Sequence, residues 1–259
     1  MLVHHFLEYY ARNTPELPCL TLGENTSSYG EVNTLSNQIA HGLLALGISR
    51  GQRIAILGEN SLEHLLLFMA ASKIGAVTVS LNYRLAPAEL AFIINDANSR
   101  VLVALDGMED SLTGLRQQID DDITVISHGF ADTLSWNEWV SQYPESSPNI
   151  ESDPQDAYIQ LYTSGTTGNP KGVVSSHFNM LSLVTMNSVA TPHRPSPGMA
   201  TILCAPLFHI GGAGSIAYNI FSGIHTLLHR TFDPPKVVAD MENHPVSNIF
   251  MVPAMIMAV

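Results

Sequence analysis

Arg53-Ile-Ala-Ile-Leu-Gly-Glu-Asn-Ser61-Leu-Glu-His-Leu-Leu-Leu-Phe-Met-Ala-Ala-Ser-Lys73-Ile-Gly75-Ala-Val-Thr-Val-Ser-Leu81 decides the architecture. Arg53–Leu57 is a short apolar run of strand type, and Ser61 stands where a helix N-cap belongs. A helix is predicted over Leu62–Ile74, stopped by Gly75, and Ala76–Leu81 is again a strand. A strand, a helix and a second strand in so few residues make a parallel pair with a right-handed crossover.

The same beat continues on both sides. Upstream, His4–Asn13 reads as a helix stopped by Thr14-Pro15, and Cys19–Leu22 as a strand. Val32, Leu35, Ile39, Leu43 and Leu46 then recur at helical spacing, with Gly47 as the stop. Downstream come helix Pro87–Asp96, strand Val101–Leu105, helix Asp110–Ile119 and strand Ile123–Ser127. The polar, proline-containing stretch 144–156 is an exposed connection into strand Ala157–Tyr162. Helix Phe178–Val189 is followed by Thr191–Gly198, a linker with three prolines. A second series begins there: strand Thr201–Ala205, helix Ile210–Phe221, strand Ile224–His229, helix Pro234–Asn243 and strand Asn248–Val252. The fold class expected is α/β, with mainly parallel sheets and helices on both faces.

Composition limits the function classes. Apolar residues make up 46% of the 259 and charged residues only 13%, which suits strands buried on both faces. A formal net charge of −12 makes nucleic acid and anionic membrane poor partners. Cys19 and Cys204 have no paired spacing and read as reduced thiols of a cytoplasmic protein. The N-terminal residues lack a signal-peptide pattern. The longest apolar reach, Leu65–Leu81, is broken by Lys73 and Gly75, so no transmembrane segment is expected.

The chemistry concentrates in Leu161-Tyr-Thr-Ser-Gly-Thr-Thr-Gly-Asn-Pro-Lys171-Gly-Val-Val174. Gly165, Gly168 and Gly172 allow backbone turns and close approach, so that successive N–H groups can point at one anion. Thr163, Ser164, Thr166 and Thr167 add hydroxyl donors. Lys171 is the only Lys or Arg between Arg116 and Arg194. A polyphosphate is the natural guest. The loop is not a Walker loop, because two residues including Pro170 separate Gly168 from Lys171, and a strand rather than a helix follows the lysine.

This string resembles the phosphate-binding loop of the AMP-forming acyl-CoA synthetases, the adenylate-forming enzymes, whose usual form is Tyr-Thr-Ser-Gly-Thr-Thr-Gly-x-Pro-Lys-Gly. The resemblance implies that Thr163, Ser164, Gly165, Thr166, Thr167, Gly168 and Lys171 hold the phosphates of ATP (AMP after the first step), with Lys171 acting in catalysis and Thr163 as a Mg²⁺ ligand. Ser80-Leu-Asn-Tyr-Arg84-Leu-Ala-Pro-Ala-Glu89-Leu90 is similar to a second region of the family, which commonly has Pro where Ser80 stands. Arg84 and Glu89 are read there as a loop-anchoring pair.

Pro206-Leu-Phe-His209-Ile-Gly-Gly212-Ala-Gly214 follows a strand, where α/β proteins place ligand residues. Two adjacent glycines strip side chains from one wall, as an acyl or aryl slot requires. The motif resembles the acid-substrate motif of the family. By that resemblance His209 lies near the substrate carboxylate as a catalytic residue, and Gly211 and Gly212 line the acyl pocket. His225 and His229 could share a strand face but have no third ligand at zinc spacing. No Gly-x-Ser-x-Gly elbow argues for a serine hydrolase.

The implied activity is acyl-CoA ligation: a fatty or other carboxylic acid and ATP give acyl-AMP, and coenzyme A takes the acyl group. A ligase that loads a carrier protein and a non-catalytic binding or assembly module stay open as alternatives. The resemblance covers only the first half of such an enzyme. Residues 1–190 are expected to form a first α/β lobe ending in the phosphate loop and its helix, and 191–259 the start of a second, incomplete lobe. The C-terminal small domain is absent, so the chain alone is expected to be inactive. The apolar run 249–259 reads as a cut through a core, which favours self-association, a homodimer among its forms.

Overall fold

The computed structural model describes residues 1–163, 169–190 and 195–259. Its helices are α1 (His4–Asn13), α2 (Tyr29–Ala45), α3 (Leu62–Lys73), α4 (Pro87–Asp96), α5 (Glu109–Leu115), α6 (Trp136–Ser141), α7 (His177–Ala190), α8 (Ile210–Ser222), α9 (Pro234–Asn243) and α10 (Pro253–Ile256). Its strands are β1 (Pro18–Leu22), β2 (Asn25–Ser28), β3 (Arg53–Leu57), β4 (Val77–Leu81), β5 (Ser99–Ala104), β6 (Thr124–Ser127), β7 (Leu134–Ser135), β8 (Ala157–Thr163), β9 (Lys171–Ser176), β10 (Ala200–Leu203), β11 (His225–Leu228) and β12 (Val246–Ile249).

Local chemistry accounts for the boundaries. The Ser28 hydroxyl accepts from the Glu31 N–H while the Glu31 carboxylate accepts from the Ser28 N–H, a reciprocal cap that starts α2. Ser61 accepts from the His64 N–H at the start of α3, as its position in the sequence requires. Gly47 and Gly75, at φ +80° and +68°, end α2 and α3 in the left-handed region that glycine enters without penalty.

The strands assort into two sheets, ordered β7-β6-β5-β3-β4-β8-β9 and β12-β10-β11-β1-β2. Among the described residues all neighbours are parallel except the β8/β9 and β1/β2 hairpins. Strand alternation sorts the core. Ile54, Ile56, Val101 and Val103 face an inner cluster with α1, α2 and α3, whereas Ala55, Leu57, Leu102 and Ala104 face an outer one with α4 and α5. On the other sheet Leu203 and Leu228 face the same inner cluster, and Ala200, Ile202 and Leu227 pack outward on Val237 of α9. Every residue from His64 to Lys73 is buried, so α3 lies inside the layer between the sheets.

Strand pairing does not divide at residue 190. β1 and β2 belong to the same sheet as β10–β12, with Leu20 opposite Thr226: β1 pairs with β2 along one edge and with the distant β11 along the other. The last strand sits earlier than the pattern suggests, over Val246–Ile249, and Pro253 opens α10.

Candidate active site

β8 runs between β4 and β9, buried at Tyr158, Ile159 and Gln160 and reaching the surface at Thr163. Its antiparallel partner returns at Lys171, directly opposite Thr163. One hydroxyl and one ammonium thus share the last rung of the hairpin, at the carboxyl end of a parallel sheet. Both are exposed, and Lys171 has no side-chain partner among the described residues. Ser164, Gly165, Thr166, Thr167 and Gly168 lie outside the described residues.

A polar chain supports this rung from beneath. Arg53 Nε donates to Gln160 Oε1 at 3.2 Å, Gln160 Nε2 to the Tyr162 hydroxyl at 3.0 Å, and that hydroxyl to Asp96 Oδ2 at 2.5 Å. Burial and the neighbouring Asp96 carboxylate push the Tyr162 phenol upward, so it stays a donor. Gly172 pairs with Tyr162, and a Cβ there would lie 2.5 Å from Gln160 Nε2 and 2.9 Å from the Tyr162 ring. The glycine therefore makes room for the supporting side chains, a different reason from the anion approach expected of it.

The second group of residues follows β10. Asn60, buried just beyond β3, accepts from the Leu207 N–H at 2.8 Å and donates to the Ala205 and His229 carbonyls at 3.0 Å each. It pins the Ala205–Leu207 turn of one sheet to the exit of a strand in the other. The sequence reading missed it; its one signal is a polar residue between a buried strand and a helix cap. His209 then stands at the N-cap of α8 with extended backbone, its side chain not engaged in capping. Its ring lies 4.6 Å from that of Phe208. Partial desolvation, and then the charge of Arg84, hold His209 below the usual histidine value, so the ring is neutral at pH 7.

The place is a topological switch point. From β10 the chain passes through α8 to β11 on one side, and from β11 through α9 to β12 on the other side of β10. His209 and Phe250 leave the carboxyl ends of the two diverging strands. The two glycines have different surroundings. A Cβ on Gly211 would meet the Phe250 ring at 2.8 Å, and Phe250 borders a cavity of about 260 Å³ lined also by Thr201, Ser215, Tyr218 and Asn219. A Cβ on Gly212 would meet backbone, the Pro206 oxygen at 2.2 Å and the Ala205 oxygen at 2.9 Å.

Among the described residues no hydrogen bond or ring contact joins Lys171 to His209. Arg84 and Glu89 do not pair: Glu89 accepts from the Ala86 N–H at 3.0 Å, and Arg84 lies over aromatic rings. His225 and His229 have separate partners, Thr21 and Asp240. His4, His5 and Glu8 are grouped closely enough for a metal, but the buried Lys73 ammonium lies 3.6 Å from Glu8 and already supplies the positive charge. No helix among the described residues is long and apolar enough to cross a membrane.

Residues 7–259 match the AMP-binding enzyme family. The chain belongs to that family. It is 34% identical over 210 residues to the long-chain-fatty-acid–CoA ligase FadD13 of Mycobacterium tuberculosis, a match covering 81% of this chain and 41% of that protein. It is 28% identical over 253 residues to the fatty acid–[acyl-carrier-protein] ligase ScoC of Streptomyces coeruleorubidus, covering 96% and 47%. Its fold matches the inhibitor-bound N-terminal domain of FACL13 from Mycobacterium tuberculosis with a TM-score of 0.89 at 30% identity, over 99% of this chain and 64% of that one. The chain thus spans about half the length of these curated relatives.

Proposed function

We propose that the chain forms the ATP-phosphate and acid-binding portion of an AMP-forming acid–thiol ligase. The observation that carries the reading is the Thr163/Lys171 rung at the carboxyl end of one sheet, with His209 and a glycine-walled turn at the switch point of the other. In the first step a carboxylate oxygen bonds to the α-phosphorus of ATP and the bond to pyrophosphate breaks, giving acyl-AMP. A thiol then takes the acyl group and AMP leaves. No protein nucleophile is required, so the work is positioning and charge stabilisation.

Lys171, with the hydroxyls of Thr163, Ser164, Thr166 and Thr167 and the backbone at Gly165 and Gly168, is the cradle for the phosphates. His209, neutral, is suited to hydrogen-bond the acid rather than to ion-pair with it. The acyl group enters past Gly211 and Phe250 towards the cavity beside α8, with Gly212 setting the turn. Thr163 offers Mg²⁺ one hydroxyl, which fits an ion that takes its remaining ligands from water and phosphate, and bound there the ion would offset phosphate charge. Coenzyme A is the thiol favoured by the likeness to FadD13; a carrier protein is the second reading, favoured by the likeness to ScoC. The buried free thiols Cys19 and Cys204 suit a cytoplasmic protein. Exposed Phe250, Val252, Ile256 and Met257 suit a homodimer.

Calorimetry with ATP or pyrophosphate tests the reading. Lys171→Ala is expected to weaken binding by about 1.5–3 kcal/mol, the worth of charge-assisted hydrogen bonds. Equal affinity in both proteins, with circular dichroism unchanged, would remove Lys171 from the site.

A further inference from the structure

The segment between β4 and α4 brings a cation to the junction of the two sheets. The Arg84 N–H donates to Asn82 Oδ1 at 3.2 Å, which shapes the turn that follows β4. The guanidinium carbon lies 5.3 Å from the Tyr83 ring centroid and 5.8 Å from that of Phe208. Those two rings meet edge to face, 5.7 Å apart at 84°. Tyr83 follows a strand that pairs with β8, the strand that carries Thr163. Phe208 precedes His209 in the other sheet's turn. Among the described residues Arg84 has no carboxylate partner; its charge is held by the two rings and by the Tyr83 hydroxyl, which accepts from Arg84 Nη2 at 3.3 Å.

We propose that Arg84 is a positioning residue: gripped between Tyr83 and Phe208, it clamps the His209 turn of one sheet to the rim of the phosphate-hairpin sheet and so orients His209 towards the acid. What His209 does to the acid rests on the ligase reading; the clamp does not. A guanidinium suits the place because it keeps its charge beside two rings set nearly at right angles while still donating to the Tyr83 hydroxyl, which a compact ammonium does less well. Phe208 touches both groups, 5.8 Å from the guanidinium and 4.6 Å from the His209 ring, and after partial burial the charge of Arg84 is what lowers His209.

Two measurements on the full chain separate the possibilities. The first is an NMR titration of the His209 ring, assigned through His209→Gln, in wild type, Arg84→Lys and Arg84→Met. Its midpoint is expected to rise in Arg84→Met and to return most of the way in Arg84→Lys. The second compares binding of a non-hydrolysable acyl-adenylate with binding of pyrophosphate. Arg84→Met and Phe208→Leu should weaken the first roughly three- to tenfold, the worth of a partly desolvated cation–π contact, and leave the second unchanged. An unmoved titration with unchanged acyl-adenylate affinity overturns the clamp. Should Arg84→Met fail to fold, Phe208→Leu breaks the same contact, and full acyl-adenylate affinity in that variant is equally fatal. Failure of the wild type to bind pyrophosphate or acyl-adenylate would instead refute the ligase reading, and the titration would still decide Arg84.

Discussion

Replacing Gly212 by alanine adds one methyl group, and the structure fixes where it goes. The new Cβ would lie 2.2 Å from the Pro206 oxygen, 2.6 Å from its carbonyl carbon and 2.9 Å from the Ala205 oxygen. All three are backbone atoms, so no side chain can swing aside. The turn must move, and it is held by the Asn60 bonds to Ala205 and Leu207. Overpacking of this kind costs typically 1–3 kcal/mol, and straining two buried hydrogen bonds adds about 1 kcal/mol, against a helix-propensity gain of up to about 1 kcal/mol. The net loss is about 1–3 kcal/mol, or roughly 2–12 °C in Tm for a chain of this size. Gly211→Ala is the control. Its Cβ meets only the Phe250 ring, half-exposed and free to turn, so its Tm should change by less than about 3 °C. Thermal unfolding followed by circular dichroism reads both. Gly212→Ala melting within about 1 °C of wild type, or Gly211→Ala proving the more damaging, would refute the close-approach argument.

The chain alone is expected not to exchange labelled pyrophosphate into ATP in the presence of acids, since losing even one electrostatic contact at a transition state costs on the order of 10²–10³ in rate; exchange at the rate of a longer relative would show that this chain holds the whole catalytic apparatus. Stability should fall as pH drops from 6.5 towards 4. Burial lowers His4 to about 2 and His64 and His177 to about 4, so the unfolded chain takes up protons that the native one refuses. Glu63, which burial raises but the His128 ring 3.3 Å away helps to hold down at about 2, extends the loss below pH 4.5, and a urea midpoint flat from pH 7.5 to 3.5 would contradict both. Ser28→Ala removes half of the reciprocal cap on α2 and should cost about 1 kcal/mol in urea unfolding; no change would mean that the cap adds nothing to stability.

The alternation of strands and helices was legible because each element carries its own period and punctuation: Ser61, Gly47 and Gly75 do in the structure what their positions imply. The hairpin around the phosphate string was legible for the same reason, since Lys171 and the residues after it form the strand that the apolar pair Val173-Val174 suggests. What could not be read was contact across distance. β2 and β7 are short and polar, with no apolar pattern to announce them, and exist because a neighbour supplies the ladder. Arg84 was read with Glu89 as a loop-anchoring pair because the two are close in sequence, whereas Phe208, far along the chain, supplies one of its contacts. The glycines at 172 and 212 were legible as glycines but not in their cause. Only the fold reveals that Tyr162 and Pro206 are the atoms in the way.

The joining of the first strands to the last has a consequence for how the chain is made. Leu20 waits for Thr226, while every strand of the seven-stranded sheet lies between them in sequence. Closing so long a loop costs chain entropy and slows folding, whereas the β3–β4–β5 core closes through short crossovers. The order of assembly is therefore inside out: the middle of the chain becomes native first, and both of its ends fold last, onto each other. On a ribosome the β1/β2 hairpin would emerge before any strand of the seven-stranded sheet and be among the last elements satisfied, with the β11 edge of β1 unpaired until β11 has left the exit tunnel.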